Sequence, residues 1–130
     1  MNKLQKALIS NAIFSSVSGV LLILLNHRMA ELFGTDNNTV FWIVGLMLVF
    51  FALTIVYEVR KQRKPAVMWI IIQDFAWVLG SAILILFNPF EITLTGNILI
   101  GIIALIVSYM GMNQLIALKQ YDSLQSIKTQ

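Results

Sequence analysis

Four long apolar segments restrict what this sequence can fold into more than any other feature. They cover approximately residues 7–25, 40–57, 66–87 and 98–118. An α-helix needs about 20 mostly apolar residues to cross the roughly 30 Å of hydrocarbon in a bilayer. None of the segments shows the alternation of apolar and polar residues that is typical of an outer-membrane β-strand. We therefore predict an all-α fold, a four-helix transmembrane bundle that forms a single domain over residues 1–130.

The composition agrees with a membrane protein and excludes several kinds of chemistry. Hydrophobic residues make up 58% of the chain and charged residues 12%, and the mean hydropathy is +0.83. A soluble domain of this size could not bury so much apolar surface. Cysteine is absent, which excludes disulfides, thiolate nucleophiles and cysteine metal sites. With one histidine, a bis-histidine haem site within the chain is also excluded, and we expect no cofactor and no metal.

The positions of the basic residues predict the orientation. Eight of the nine lie in three segments that an even number of spans places on one side of the membrane: Lys3, Lys6, Arg60, Lys61, Arg63, Lys64, Lys119 and Lys128. Arg28 alone falls on the other side. The positive-inside rule then predicts that both termini are cytoplasmic. The net charge of +3 reflects this topology and attraction to anionic lipid, so no nucleic-acid partner is expected.

The connections between the segments are short, with one exception at residues 26–39. In that connection the segment Met29–Phe33 is predicted to form one interfacial turn that ends at Gly34. Asn88-Pro89 predicts the end of the third helix.

Asp74 lies inside the third apolar segment, where a charge is costly. It follows Ala66 by eight residues, so at 1.5 Å per residue it lies roughly 12 Å from the cytoplasmic boundary, close to the midplane. An aspartate side chain is too short to reach the interface from there. No Lys or Arg occurs inside any of the four segments. We therefore expect Asp74 to be uncharged at rest and to donate a hydrogen bond to Ser15, Ser108 or Tyr109.

Small and polar residues of membrane helices usually face other helices, which predicts a polar pocket around this carboxyl group. The residues expected to form the pocket, which we predict to open toward the cytoplasm, are Asp74, Ser15, Trp77, Tyr109, Asn113, Asn11, Gln73 and Ser108. On the fourth helix the inward stripe is predicted to be Gly101, Ala104, Ser108 and Met112. The alternative is purely structural: a neutral Asp74 that ties helices one, three and four together.

The pattern Asp74-x-x-Trp77-Val78-x-Gly80-Ser81, with Asn11-Ala12-Ile13-Phe14-Ser15 and Ser18-Gly19 in the first helix, resembles a broad group of small bacterial four-helix membrane proteins. The resemblance covers nearly the whole chain. It implies four spans and a location in the bacterial inner membrane, and it implies no reaction.

Three functions are compatible with these observations. The first is a homo-oligomeric transporter or channel-like protein in which Asp74 responds to a proton or cation. The second is a non-catalytic accessory subunit of a membrane complex, and the third is a protein that binds a lipid or quinone. No motif of a hydrolase, zinc protease or nucleotide-binding loop is present, and we expect no enzymatic activity. The expected partners are membrane lipids, a second copy of the chain, and a small solute, proton or lipid.

Overall fold

The computed structural model describes residues 1–128, and this part of the chain is helical with no β-strand. The five helices are α1 (Lys3–Leu24), α2 (Asn26–Phe33), α3 (Thr39–Lys61), α4 (Lys64–Phe87) and α5 (Leu94–Lys128). Four of them, α1, α3, α4 and α5 as far as Ile127, are long and apolar enough to cross a membrane. Large apolar side chains cover much of their outer surface, as expected for helices surrounded by lipid. The prediction of an all-α fold with four helices that are long and apolar enough to span a membrane is confirmed.

The helices extend beyond the apolar segments, because polar residues at the ends of these segments are also helical. α1 begins at Lys3, where the Asn2 side chain accepts a hydrogen bond from the Gln5 backbone and the Gln5 side chain accepts one from that of Asn2. α5 has 35 residues and is therefore about 52 Å long, well beyond the thickness of the hydrocarbon. Its sequence after Gly111 contains neither glycine nor proline, so nothing ends the helix where the apolar residues end.

The predicted interfacial turn is a complete helix of eight residues, α2. Gly34 ends it in the left-handed conformation, with φ 75°, as the sequence predicts. The rings of Phe33 in α2 and Phe41 in α3 pack edge to face with centroids 5.0 Å apart. Asn88 ends α4, also with a positive φ, and its side chain accepts a hydrogen bond from the backbone of Ile92 at 2.8 Å.

The four spanning helices form a square whose sides differ in closeness. α1 packs along α3, and α4 packs along α5; α1 also contacts α5, whereas α3 and α4 contact each other little. α1 and α4 lie on one diagonal of the square, and their backbones do not approach each other closely. The α1–α3 side is closest at Gly19 and Gly45, where a Cβ atom built on Gly19 would be 2.7 Å from the carbonyl oxygen of Gly45.

The two ends of the bundle differ in packing. We call the end that contains Asn2, the Gln62–Arg63 connection and Lys119 the basic end, and the opposite end the α2 end. At the basic end Gln62 Nε2 donates to Asn2 Oδ1 at 3.1 Å. A cluster of buried apolar side chains, the basal core, fills this end: Leu4, Ala7, Leu8, Ala12, Ile55, Val67, Ile70, Ile71, Ala117 and Leu118.

Candidate functional site

Four buried polar side chains meet in the interior and form what we call the polar cluster: Asn11, Ser15, Asp74 and Gln114. Asp74 lies near the middle of α4 and is only 4% exposed. Asn11 and Ser15 lie one turn apart on α1, and Gln114 is completely buried on α5. The cluster therefore lies where three of the four spanning helices face one another.

Hydrogen bonds converge on one oxygen of the aspartate. Asp74 Oδ2 accepts from Asn11 Nδ2 at 2.8 Å and from Gln114 Nε2 at 2.6 Å. Asn11 Nδ2 also donates to Gln114 Oε1 at 3.0 Å, and Ser15 Oγ donates to Asn11 Oδ1 at 3.0 Å. Since the backbones of α1 and α4 are not in close contact, the bond from Asn11 to Asp74 bridges the diagonal of the bundle. The cluster thus links α1, α4 and α5 through side chains.

The position of Gln114 depends on close packing of α5 against α4. Gly111, one turn earlier on α5, lies under the Phe75 ring, and a Cβ atom at Gly111 would be 3.1 Å from Phe75 Cζ. The missing side chain lets the two helices approach at the level of Asp74. This approach brings the Gln114 amide within hydrogen-bonding distance of the carboxyl group.

An apolar cavity of about 330 Å³ begins at the polar cluster. Its polar lining consists of Asn11, Ser15, Ser18, Gln73 and Asp74. Its apolar lining consists of Phe14, Leu21, Leu22, Met29, Phe33, Met47, Leu48, Phe51, Trp77, Leu99, Ile103 and Val107. Most of a bound molecule would therefore touch hydrocarbon and aromatic rings, and one part of it would reach the carboxyl group.

The cavity extends toward the α2 end, which corrects the predicted opening toward the side of the termini. Its far wall includes Met29 and Phe33 of α2. On the other side of the polar cluster lies the basal core, whose side chains are buried and closely packed. The sequence prediction failed because it placed the space where the polar residues are densest, whereas apolar side chains fill that end.

The cavity reaches the outer surface between α3 and α4. We call this opening the α3–α4 seam and define it by Met47 and Phe51 on α3 and Gln73 and Trp77 on α4, which all line the cavity. Met47 is 65% exposed and Trp77 is 41% exposed, so both side chains border the cavity and the outside. The seam is the side of the square with the fewest contacts. Leu21 on α1 also lines the cavity and is exposed on its outer side.

The structure brings together five of the eight residues predicted for the pocket. Asn11, Ser15, Gln73, Asp74 and Trp77 line the cavity. The other three lie elsewhere on α5. Tyr109 is 72% exposed on the outer surface, Asn113 borders a separate surface depression beside Lys3 and Lys6, and Ser108 is half-buried without lining the cavity.

The inward face of α5 was predicted wrongly. Beyond Gly96, the buried residues of α5 are Val107, Met110, Gly111, Gln114, Ala117 and Leu118, whereas Met112 is exposed. Successive helical residues point about 100° apart, so choosing Asn113 in place of Gln114 turns the helix by that angle. Gly111, Gln114 and Leu118 recur at spacings of three and four, which is the signal that identifies this face.

The predicted partners of Asp74 are also corrected. The expectation was a hydrogen bond to Ser15, Ser108 or Tyr109, but the carboxyl oxygen accepts from Asn11 and Gln114. Ser15 acts one step away, through Asn11. The reason is the length of the side chains. The amide side chains of Asn11 and Gln114 are long enough to contact Asp74 across the interior, whereas the shorter Ser15 side chain bonds to Asn11 on its own helix.

A second buried acid, Glu58, lies at the basic end of α3 and is only 3% exposed. Arg63 Nε donates to Glu58 Oε1 at 3.1 Å, and its Nη2 contacts the same oxygen. This partner raises the pKa of Arg63 above its ordinary value. Glu58 and Arg63 form an ion pair that closes the α3–α4 connection.

No group of three or more His, Cys, Asp or Glu side chains that could hold a metal occurs within residues 1–128. Comparison of the chain with protein-family models, with curated proteins and with solved structures finds no match. Any function proposed for the site therefore depends on its own geometry and chemistry.

Proposed function

We propose that this protein binds, within the membrane, a small apolar molecule that carries one polar group. The observation that carries the proposal is the cavity of about 330 Å³, which has apolar and aromatic walls and a single polar end at Asp74. Small-molecule sites have this general form: a concave apolar surface with a few polar groups that orient the ligand. The ligand would enter from the lipid through the α3–α4 seam, between Met47 and Trp77.

The polar cluster suits the role of an anchor. Asp74 Oδ2 already accepts two amide hydrogen bonds, and within the described residues no hydrogen bond reaches Oδ1. This oxygen is therefore the polar atom that a ligand could use. Asn11 and Gln114 would hold the carboxyl group in one orientation while the ligand changes.

The membrane and the orientation belong to the same proposal. The resemblance to small bacterial four-helix proteins supports a bacterial inner membrane, and the positive charge of the basic end supports a cytoplasmic location for both termini. The cavity would then lie on the side of the polar cluster that is farther from the cytoplasm. Homo-oligomerisation stays a prediction, as does the absence of enzymatic activity.

Transport and an accessory role stay predictions as well. Transport would require the bound molecule or an ion to pass the basal core, whose side chains close the cavity on the side of the basic end. Asp74 links three helices, so a change in its charge would alter the contacts that hold them together. An accessory subunit would need the polar cluster for packing alone and would leave the cavity without a ligand.

Fluorescence of Trp77 tests the proposed binding. In a Trp42→Phe/Trp69→Phe protein in lipid nanodiscs, Trp77 is the only tryptophan, and it lines the cavity. The probe is 4-(4-bromophenyl)butan-1-ol, whose bromine quenches tryptophan on contact. We expect saturable quenching, and Ile103→Phe, which adds a ring to the cavity wall, should weaken binding about tenfold, equivalent to about 1.4 kcal/mol.

The matched control is Ile102→Phe, because Ile102 is the neighbouring residue on α5 but is exposed on the outer surface. This substitution should leave the quenching curve unchanged. Quenching that rises without saturation, or that both substitutions affect equally, would show that the probe only dissolves in the surrounding lipid, and the proposal would fail.

A further inference from the structure

The polar cluster lacks a positive charge, and this suggests what kind of molecule binds. The two ion pairs found in residues 1–128, Arg63 with Glu58 and Lys64 with Asp122, both lie at the basic end. No Lys, Arg or His lines the cavity. An ionised carboxylate in such surroundings is very unfavourable unless a cation accompanies it.

Asp74 is the one titratable group in the cavity wall. The other side chains of the cavity wall and of the polar cluster come from all five helices: Asn11 and Ser15 from α1, Met29 from α2, Phe51 from α3, Gln73 and Trp77 from α4, and Val107 with Gln114 from α5. None of them can gain or lose a proton near neutral pH. Whatever balances the charge of Asp74 must therefore be its own proton or a molecule that enters the cavity.

The geometry of the cluster is nevertheless suited to a carboxylate. The two amide donors lie 2.8 and 2.6 Å from Oδ2, and hydrogen bonds of this kind become stronger when the acceptor is ionised. Both donors come from side chains that are themselves buried, so water does not compete for them. The cluster can therefore hold the anionic form once a positive charge is present.

The walls of the cavity are suited to a cation that would pair with the carboxylate. Phe14, Phe33, Phe51 and Trp77 line it, and the faces of aromatic rings attract cations, particularly where water is excluded. Aliphatic side chains supply the rest of the surface. An apolar body with a positively charged nitrogen would match both the rings and the carboxylate.

We infer that the ligand is a lipophilic cation, a protonated amine or a quaternary ammonium compound, and that it exchanges with the proton of Asp74. The inference rests on the proposed binding function. On binding, the O–H bond of the carboxyl group breaks, its electron pair stays on Asp74, the proton passes to solvent and the cation takes its place. The total charge in the cavity stays the same, which is why the exchange is possible inside the membrane.

The test compares two probes of equal shape and different charge, 4-bromobenzyltrimethylammonium and 1-bromo-4-neopentylbenzene, by quenching of Trp77 in the single-tryptophan protein. The cation should bind saturably and release about one proton, measured with a pH indicator in weak buffer. Because a proton leaves, its affinity should rise about tenfold per pH unit while the resting carboxyl group is protonated. The uncharged probe should show no such dependence.

Asp74→Asn should weaken cation binding at least about tenfold and abolish proton release, because the carboxamide keeps the acceptor for Asn11 and Gln114 but cannot become an anion. Asp122→Asn is the control, since it removes an exposed carboxylate at the basic end and should change neither readout. If Asp74→Asn does not fold, proton release and the pH dependence of the unsubstituted protein still decide the matter.

The outcomes separate this inference from the proposed function. If the bromophenyl alcohol binds but the cation does not, or binds without releasing a proton, the inference is overturned and cavity binding stands. If neither the alcohol nor the cation binds saturably, both fall.

Discussion

The two sides of the bundle that share α3 are built differently. Against α1, α3 packs backbone to backbone at Gly19 and Gly45, so that no side chain separates the helices. Against α4, α3 contributes Met47 and Phe51 to a cavity, and the two helices contact each other little. Without water to drive apolar surfaces together, helices in lipid associate through close packing and interhelical hydrogen bonds. The first side has close packing, and the α3–α4 seam has little of it.

This difference shows how a small bundle can contain a cavity and remain folded. The α1–α3 and α4–α5 pairs are each closely packed, and the polar cluster joins the two pairs across the diagonal. The α3–α4 seam can then stay open without separating the pairs. In the proposed function the ligand enters through the α3–α4 seam, while the other sides of the bundle and the polar cluster stabilise the fold.

The largest effect is expected from adding a methyl group to the α1–α3 side. A Cβ atom at Gly45 would be 2.6 Å from the carbonyl oxygen of Gly19 and 2.8 Å from Ile23 Cγ1, so the helices must separate. Overpacking of this kind costs about 1–3 kcal/mol. We expect Gly19→Ala or Gly45→Ala to lower the free energy of unfolding by that amount, measured by denaturant titration in detergent micelles with circular dichroism.

Gly80→Ala is the matched control, because no atom lies within 4 Å of a Cβ built at Gly80. Alanine favours a helix over glycine by about 0.5–1 kcal/mol, so this variant should be as stable as the original or more so. Equal effects at Gly19 and Gly80 would mean that the close α1–α3 contact does not stabilise the fold.

A smaller loss is expected when the link between the two pairs is cut. Gln114→Leu removes the donor to Asp74 and the acceptor of Asn11, leaving both side chains with fewer partners in the interior. Interhelical hydrogen bonds in membranes contribute about 1–2 kcal/mol in model systems, and often less. The free energy of unfolding should fall by about 1–2 kcal/mol in the same denaturant titration.

The neighbouring substitution Asn113→Leu should change stability by less than about 0.5 kcal/mol, because Asn113 is exposed. Comparing Gln114→Leu with Asn113→Leu separates the contribution of the polar cluster to stability from the effect of making α5 more apolar. If Asn113→Leu proved the more damaging of the two, the assignment of Gln114 to the interior would be wrong.

The sequence predicts the helices of this fold better than it predicts their rotation. Length and hydropathy are sufficient for four spans, and Gly34 and Asn88 mark helix ends because they adopt conformations with positive φ. Asp74 and Asn11 stand out because polar side chains inside apolar segments must face protein. Gln114 was missed and Tyr109 was assigned wrongly because the lipid-facing and inward faces of α5 are almost equally apolar.

The cavity itself has no comparable sequence signal. It lies where α3 and α4 contact each other little and where α2 covers the end of the bundle, and both depend on how the helices pack against one another. That packing follows from contacts such as Gly19 with Gly45 and Gly111 with Phe75, which join residues far apart in the chain. A glycine in an apolar segment indicates that another helix can approach closely there, but it does not indicate which helix.

The smallest effect, a few ångströms in distance, concerns the motion of the two sides of α3. The absence of cysteine allows spin labels to be attached at chosen exposed positions: Val20→Cys with Leu46→Cys for the α1–α3 side, and Phe50→Cys with Leu79→Cys for the α3–α4 seam.

Segments with few packing contacts open more readily than closely packed ones. Double electron–electron resonance in nanodiscs should therefore give a distance distribution about 2–4 Å wider across the seam than across α1 and α3. Adding the bromophenyl alcohol should narrow the distribution across the seam, because the probe fills the space between α3 and α4. It should leave the α1–α3 distribution unchanged, because the contact between Gly19 and Gly45 already holds those two helices together. If the two distance distributions were equally wide before the probe is added, the seam would be as rigid as the contact between Gly19 and Gly45. A ligand would then have to enter from the lipid by another route, and the alternative is beside Leu21, which lines the cavity and is also exposed.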